Sequence, residues 1–296
     1  MNIAERNISM KRTILAILVL AAALLTVGTD RGRVARAHYA EGAWAANISV
    51  IAHGPQANSE LTEEFHQSYP LNATGRVSIA NINGSVRISV WDQNEVKVDA
   101  VKRGNRREAL AEVKIEVANT ADSVRIKTEY PNSNWSGGDR ETRRSYNNSA
   151  SVEYTLTIPR KARLDSVELV NGSLEIEGVE GDVEAACVNG SVKARGLTGE
   201  VKLSTVNGGV EATITHLDES KPTSLSSVNG SIVLTIPSNA NAQVKASTIH
   251  GRITNDFGLQ VNDGEFVGHD LSGQIGTGGT RIRLNNVNGS IAIKRG

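Results

Sequence analysis

An all-β fold built from repeats is what this sequence predicts: a parallel β-solenoid, β-helix-like, with coils of about 18–22 residues and Asn-Gly corners. Three observations predict it. An apolar residue followed by Asn-Gly recurs at near-regular spacing. Apolar and polar residues alternate on both sides of each copy, as in strands with one buried face. Aromatic residues make up only 4% of the chain, so large rings cannot dominate its core.

The copies are Ile82-Asn83-Gly84-Ser85, Val170-Asn171-Gly172-Ser173, Val188-Asn189-Gly190-Ser191, Val206-Asn207-Gly208-Gly209, Val228-Asn229-Gly230-Ser231 and Val287-Asn288-Gly289-Ser290. Ile249-His250-Gly251-Arg252 is a degenerate copy. From Asn171, steps of 18, 18, 22 and 21 residues lead to His250, and a longer gap leads to Asn288. Three places after each Asn stands Val86, Leu174, Val192, Val210, Ile232 or Ile291. Five places after stands Ile88, Ile176, Ala194, Ala212, Leu234 or Ile293. A second strand precedes each corner, as in Val183-Glu184-Ala185 and Val201-Lys202-Leu203.

Asn-Gly has two readings. It can be a two-residue hairpin turn, or a corner between successive strands of a coil. A hairpin gives no reason for regular spacing, whereas stacking places like positions above one another. Energetics agree. A lone coil offers about five inner apolar side chains at roughly 1.5–3 kcal/mol each. That does not offset an ordering cost on the order of 1–2 kcal/mol per residue. Coils must therefore stack. Gly reaches positive φ at the corner, and stacked Asn amides can hydrogen-bond along the ladder. Glu175, Lys193 and Glu211 share one outward column, and their alternating signs predict charge pairing between coils. The open ends of such a stack invite pairing, which Lys294 and Arg295 near the last strand would discourage.

Before the repeats, Lys11 and Arg12 precede an apolar run from Ile14 to Val27, and Ala35-Arg36-Ala37 fits a small-x-small cleavage site. This predicts a secretory signal over residues 1–37 and export to the periplasm, cell envelope or exterior. The alternative is an uncleaved N-terminal anchor, the only membrane contact the sequence implies. Residues 38–70 lack a clear period and read as a linker, with a short ordered piece near Leu61–Phe65. The solenoid domain spans 71–296. Within it Glu95–Val101, Val113–Val117, Ser123–Tyr130 and Val152–Ile158 read as strands, and Arg106–Leu110 as a helical turn.

Composition bounds the function. Hydrophobic residues at 39% and charged residues at 22% exclude a disordered chain. Residues 1–37 hold six basic and two acidic groups, so their removal leaves 26 basic against 30 acidic, a net −4. That gives no electrostatic footprint for nucleic acid. The six histidines lack metal-ligand spacing, and no Gly-x-Ser-x-Gly elbow occurs. No catalytic residue, metal or cofactor is expected. Gly276-Thr277-Gly278-Gly279 lacks a phosphate loop's Lys-Ser/Thr ending and reads as a turn. Cys187 falls where other repeats have Thr205, Ser227 and Thr248, a column for small residues. The polar insertion 131–150 is the candidate recognition element. Trp135 and Tyr146 offer stacking surfaces, and Arg140, Arg143 and Arg144 offer partners for acidic groups. Its alternative is a plain surface loop.

The order of Asn83-Gly84-Ser85-Val86, Val90-Trp91-Asp92, Glu95-Val96-Lys97-Val98, Tyr154-Thr155-Leu156-Thr157-Ile158-Pro159 and the later Val-Asn-Gly-Ser coils resembles the DUF4097 family. These are bacterial β-strand-repeat proteins that carry an adhesin label. The resemblance covers roughly residues 70–294. It implies a β-solenoid in the cell envelope, with a surface ligand, protein or glycan, or an envelope protein as partner. Membrane-anchored relatives linked to envelope stress imply a regulatory alternative. A glycan-active β-helix enzyme is the third reading, and it requires acids gathered in one groove.

Overall fold

At every Asn-Gly pair the chain leaves one β-sheet and enters another. The structure, a computed structural model, describes residues 60–130, 150–263 and 268–296. The signal predicted over 1–37 lies outside the described residues. So do Trp135, Arg140, Arg143, Arg144 and Tyr146 of the insertion.

The N-terminal part runs β1 (Leu61–Pro70), β2 (Arg76–Asn83), β3 (Val86–Trp91) and β4 (Glu95–Gly104). A short helix, α1 (Arg107–Glu112), leads to β5 (Lys114–Thr120), β6 (Ser123–Glu129) and β7 (Ser151–Pro159). The repeats follow as pairs around a corner. They are β8 (Arg163–Asn171) with β9 (Leu174–Glu177), β10 (Val183–Asn189) with β11 (Val192–Leu197), β12 (Val201–Asn207) with β13 (Val210–Ile214), and β14 (Thr223–Asn229) with β15 (Ile232–Ile236). The chain continues through β16 (Ala242–His250), β17 (Ile253–Asn255), β18 (Val261–Asp263) and β19 (His269–Ile275). It closes with β20 (Thr280–Asn288) and β21 (Ile291–Arg295).

Among the described residues these strands form two large, mostly parallel sheets. One has the order β1-β4-β7-β3-β9-β11-β13-β15-β21-β17 and the other β18-β19-β16-β20-β14-β12-β10-β8-β2-β6-β5. The two strands flanking each corner lie in different sheets, so the hairpin reading of Asn-Gly fails. Each strand instead pairs in parallel with its counterpart in the next layer, Val192 beside Val210 and Val183 beside Val201. The core lies between the sheets. Val183, Ala185 and Cys187 of β10 face inward from one, and Val192 and Ala194 of β11 from the other, all at 3% exposure or less.

The layers do not stack in sequence order throughout. β20 lies between β14 and β16, and β21 lies between β15 and β17. The C-terminal layer is thus inserted between two layers made before it. The inner columns permit this because Leu225, Leu284 and Ala246 share one register, as do Ile232, Ile291 and Ile253. Lys294 and Arg295 therefore do not guard an open edge. Arg295 donates to the Asp256 carbonyl at 3.0 Å and stands 5.0 Å over the Phe257 ring.

At the other end β6 and β7 make a further layer, parallel to β2 and β3. The chain between Tyr130 and Ala150 joins them where other layers turn at Asn-Gly. β4 and β1 then extend one sheet antiparallel, and β5 extends the other. Part of the segment expected as a linker is therefore strand. In β1, Leu61, Phe65 and Tyr69 are half-buried and the positions between are exposed. An apolar residue at only every fourth position hid the strand's period of two.

Candidate binding face at the Asn-Gly corners

The corner is built from three kinds of residue, and each does a different job. Gly comes first. At Gly172, Gly190, Gly208, Gly230 and Gly289, a Cβ would run into the carbonyl of the corner glycine in the adjacent layer. Gly208 also holds φ at +156°. Backbones approach here more closely than any side chain allows.

Asn comes second. Asn83, Asn171, Asn189, Asn207, Asn229 and Asn288 stand in one register column, with His250 in line beyond Asn288. Each amide nitrogen donates to the amide oxygen of the preceding layer: Asn171 to Asn83 at 2.9 Å, Asn189 to Asn171 at 2.9 Å and Asn207 to Asn189 at 2.8 Å. Asn229 continues to Asn207 at 2.9 Å, and Asn288 to Asn229 at 2.8 Å.

The third kind is a buried donor two places before each Asn. Thr205 donates to the Gly190 carbonyl at 2.9 Å, Ser227 to Gly208 at 3.0 Å and Thr248 to Gly289 at 2.9 Å. The Asn286 amide reaches Gly230 at 2.7 Å, and the Cys187 thiol reaches Gly172 at 3.2 Å. Leu169 has no donor at this place, and the Asn81 amide serves the Gly84 carbonyl from its own layer at 3.1 Å. The column is thus defined by hydrogen bonding as well as size. The sequence carried that information in the hydroxyls of Thr205, Ser227 and Thr248. Burial pushes the Cys187 thiol up to about 11, so it stays protonated at neutral pH.

Between the donor and the Asn stands a residue that faces outward by strand alternation. It is aliphatic in every layer: Ile82, Val170, Val188, Val206, Val228, Val287 and Ile249. Among the described residues the exposed large hydrophobics are Ile82 at 42%, Val170 at 38% and Ile249 at 50%, and all three belong to this column. Seven strands at the usual interstrand spacing make an apolar stripe about 29 Å long. Ala80, Ala186, Ser204, Ser226 and Ser247 line most of the next outward column, with Glu168 and Asn285 as its longer members beside Val170 and Val287. Beyond Ser247 and Asn285 the face dips into a shallow depression with Lys245, Asp270, Ser272 and Arg283. The stripe was readable from the buried parity of its neighbours, but its residues had been absorbed into the repeat signature.

Charges on the outer surface pair between layers. Glu175 and Glu211 do share a column with Lys193, but their cationic partners are Arg87 and Arg195. Arg87 reaches Glu175 at 3.0 Å, and Arg195 bridges Glu175 at 3.6 Å and Glu211 at 3.2 Å. Arg87 stands directly beside Glu175 in that column, whereas the Arg195 fork spans to its diagonal neighbours. On the other sheet Lys202 pairs with Glu184 at 2.6 Å, and Asp182 with Lys221 at 2.6 Å and Arg163 at 3.4 Å. Gly276, Gly278 and Gly279 form a positive-φ turn between β19 and β20, where the Thr277 N–H donates to Asn241 Oδ1 at 2.9 Å. Among the described residues no three His, Cys, Asp or Glu side chains converge as a metal site. No helix there is long and apolar enough to cross a membrane.

No curated protein matches the chain. A crystal structure described as a putative cell adhesion protein from Clostridium sporogenes matches at 15% identity and a TM-score of 0.42, covering 79% of this chain and all of that one. A putative adhesin from Bacteroides fragilis matches at 11% identity and a TM-score of 0.27, covering 79% of this chain and 97% of its own. One from Parabacteroides merdae matches at 8% identity and a TM-score of 0.29, covering 78% and 96%. Residues 170–294, the segment that carries five of the six Asn-Gly corners, match the family model described as Toastrack DUF4097.

Proposed function

We propose that this chain is an exported, non-catalytic β-solenoid scaffold of the bacterial cell envelope that binds a surface ligand, protein or glycan, in the manner of an adhesin. The observation that carries this reading is the outward-facing aliphatic stripe, exposed at Ile82, Val170 and Ile249 and half-buried at the four valines between Val170 and Ile249. It stands on a rigid parallel sheet and continues through seven layers, Ile82 to Ile249. Contiguous exposed apolar surface marks interaction sites on soluble proteins. Between Glu168 and Asn285 the column beside it is Ala186, Ser204 and Ser226, which leaves room there for a partner to lie flat. The ion pairs favour binding over catalysis. Arg87, Glu175, Arg195 and Glu211 neutralise one another along the outer surface instead of gathering acids in a groove.

Beads coated with the protein test the reading against a panel of cell surfaces, matrix proteins and glycans. Wild-type beads should attach to at least one member. A Val188→Asp, Val206→Asp double variant should lose that attachment with its melting temperature nearly unchanged. Equal attachment by the variant would remove the stripe as the binding face. N-terminal sequencing of the exported protein tests the signal, with a start after Ala37 expected and a start at Met1 favouring an anchor.

A further inference from the structure

Six Asn-Gly pairs in one chain pose a chemical problem. Asn-Gly is the dipeptide most prone to deamidation, because glycine leaves its own nitrogen unhindered. That nitrogen loses its proton to solvent base and attacks Asn Cγ. A five-membered succinimide closes, and the side-chain nitrogen departs as ammonia. Water then opens the ring at either carbonyl, giving aspartate or isoaspartate. The net change is amide plus water to acid plus ammonia.

We infer that the corner ladder blocks this reaction in the folded protein, and that Asn83, the end of the ladder, is the site where modification begins. The nucleophile is held in every layer. The N–H of Gly84 donates to the Asn171 carbonyl at 2.8 Å, Gly172 to Asn189 at 3.1 Å and Gly190 to Asn207 at 2.9 Å. Gly208 donates to Asn229 at 2.9 Å, Gly230 to Asn288 at 3.0 Å and Gly289 to His250 at 2.8 Å. The leaving group is held as well, since the amide nitrogens of Asn171, Asn189, Asn207, Asn229 and Asn288 each donate along the ladder. Ring closure must break both bonds and swing the side chain back over its own backbone.

Asn83 differs in one respect. It accepts from Asn171, but among the described residues its own amide nitrogen has no acceptor. The next layer, β6 with β7, carries no Asn-Gly pair to receive it. A deamidated interior corner would also lose its donor, so each conversion would break the ladder at that rung. The inference rests on the ladder alone and is independent of the binding face.

Peptide mapping by mass spectrometry, with enzymatic detection of isoaspartate, tests it. Folded and urea-unfolded protein are incubated side by side at mildly alkaline pH. The unfolded chain should convert at all six corners at similar rates. In the folded protein Asn189 and Asn207 should convert at least about ten-fold more slowly than when unfolded, because the reaction requires local opening. Asn83 should lead. Interior corners reacting equally fast in both states, or ahead of Asn83, would overturn the inference. Asn171→Ser adds a directional test, with its fold checked by circular dichroism. It removes the acceptor of Asn189, whose conversion should rise while that of Asn207 stays slow. Acceleration at Asn207 equal to that at Asn189 would overturn the rung-by-rung account.

Discussion

The same substitution at two threonines of one sheet should have opposite effects. Thr205 and Thr223 both face the core, at 4% and 1% exposure. The Thr205 hydroxyl donates to the Gly190 carbonyl, whereas the Thr223 hydroxyl has no partner among the described residues. Thr205→Val leaves a buried carbonyl without its donor and should cost about 1–3 kcal/mol. Thr223→Val removes an unpaired buried hydroxyl from a column that holds Val201 and Ile282 on either side, and should stabilise by about 1 kcal/mol. Urea denaturation of the two variants against wild type checks both signs. At this scale the sequence was legible where identity repeats. Asn, Gly and the inner aliphatics announced their positions. The donor column did not, because Cys187, Thr205, Ser227, Thr248 and Asn286 share a hydrogen bond and not an identity. The aliphatic stripe is hidden in the sequence because its residues are also part of the regular repeat signature.

Elements were legible in proportion to their alternation. Repeats such as Val201-Lys202-Leu203 bury every second residue, and their strands could be drawn from spacing alone. β1 could not, since its apolar residues fall four apart. Nor could the position of β20 and β21. Spacing records how far apart copies are in sequence, but not which copies become neighbours. Here Leu225, Leu284 and Ala246 offer one register in either order, so the choice lies in tertiary packing. Because β20 is internal, Leu284→Ala should cost about 2–5 kcal/mol, as for a fully enclosed leucine. Urea unfolding reads this directly, and a cost under about 1 kcal/mol would mean that β20 sits at an edge.

For the molecule as a whole, stability should fail on the alkaline side through its N-terminal layers. Tyr154 and Tyr130 lie there, and burial pushes both phenols up to about 12. The Tyr154 hydroxyl meets Thr128 Oγ1 at 2.6 Å, and the Tyr130 hydroxyl donates to the Asn83 carbonyl at 3.0 Å. Both pKa values are raised on folding, so the folded chain keeps protons that the unfolded chain gives up. Stability from these groups is fully present below about pH 10 and is lost as pH rises towards about 12. A melting series across that window should show the decline, and Tyr154→Phe should flatten it. The overall architecture was the most legible level. Parallel pairing of like strands in two sheets follows from periodicity, because no single repeat is stable alone.

The inserted C-terminal layer sets an order of events during synthesis. β14 and β16 emerge before Thr280–Asn288 and Ile291–Arg295, which form β20 and β21. Until those residues are free, β14 presents an unpaired edge, and β16 carries a matching set of inward side chains. The sequential stack implied by the repeats is therefore the kinetic competitor of the native one. The β20–β21 pair must arrive before β16 settles, or displace it afterwards, so folding of this half of the molecule completes only after Arg295 has left the ribosome.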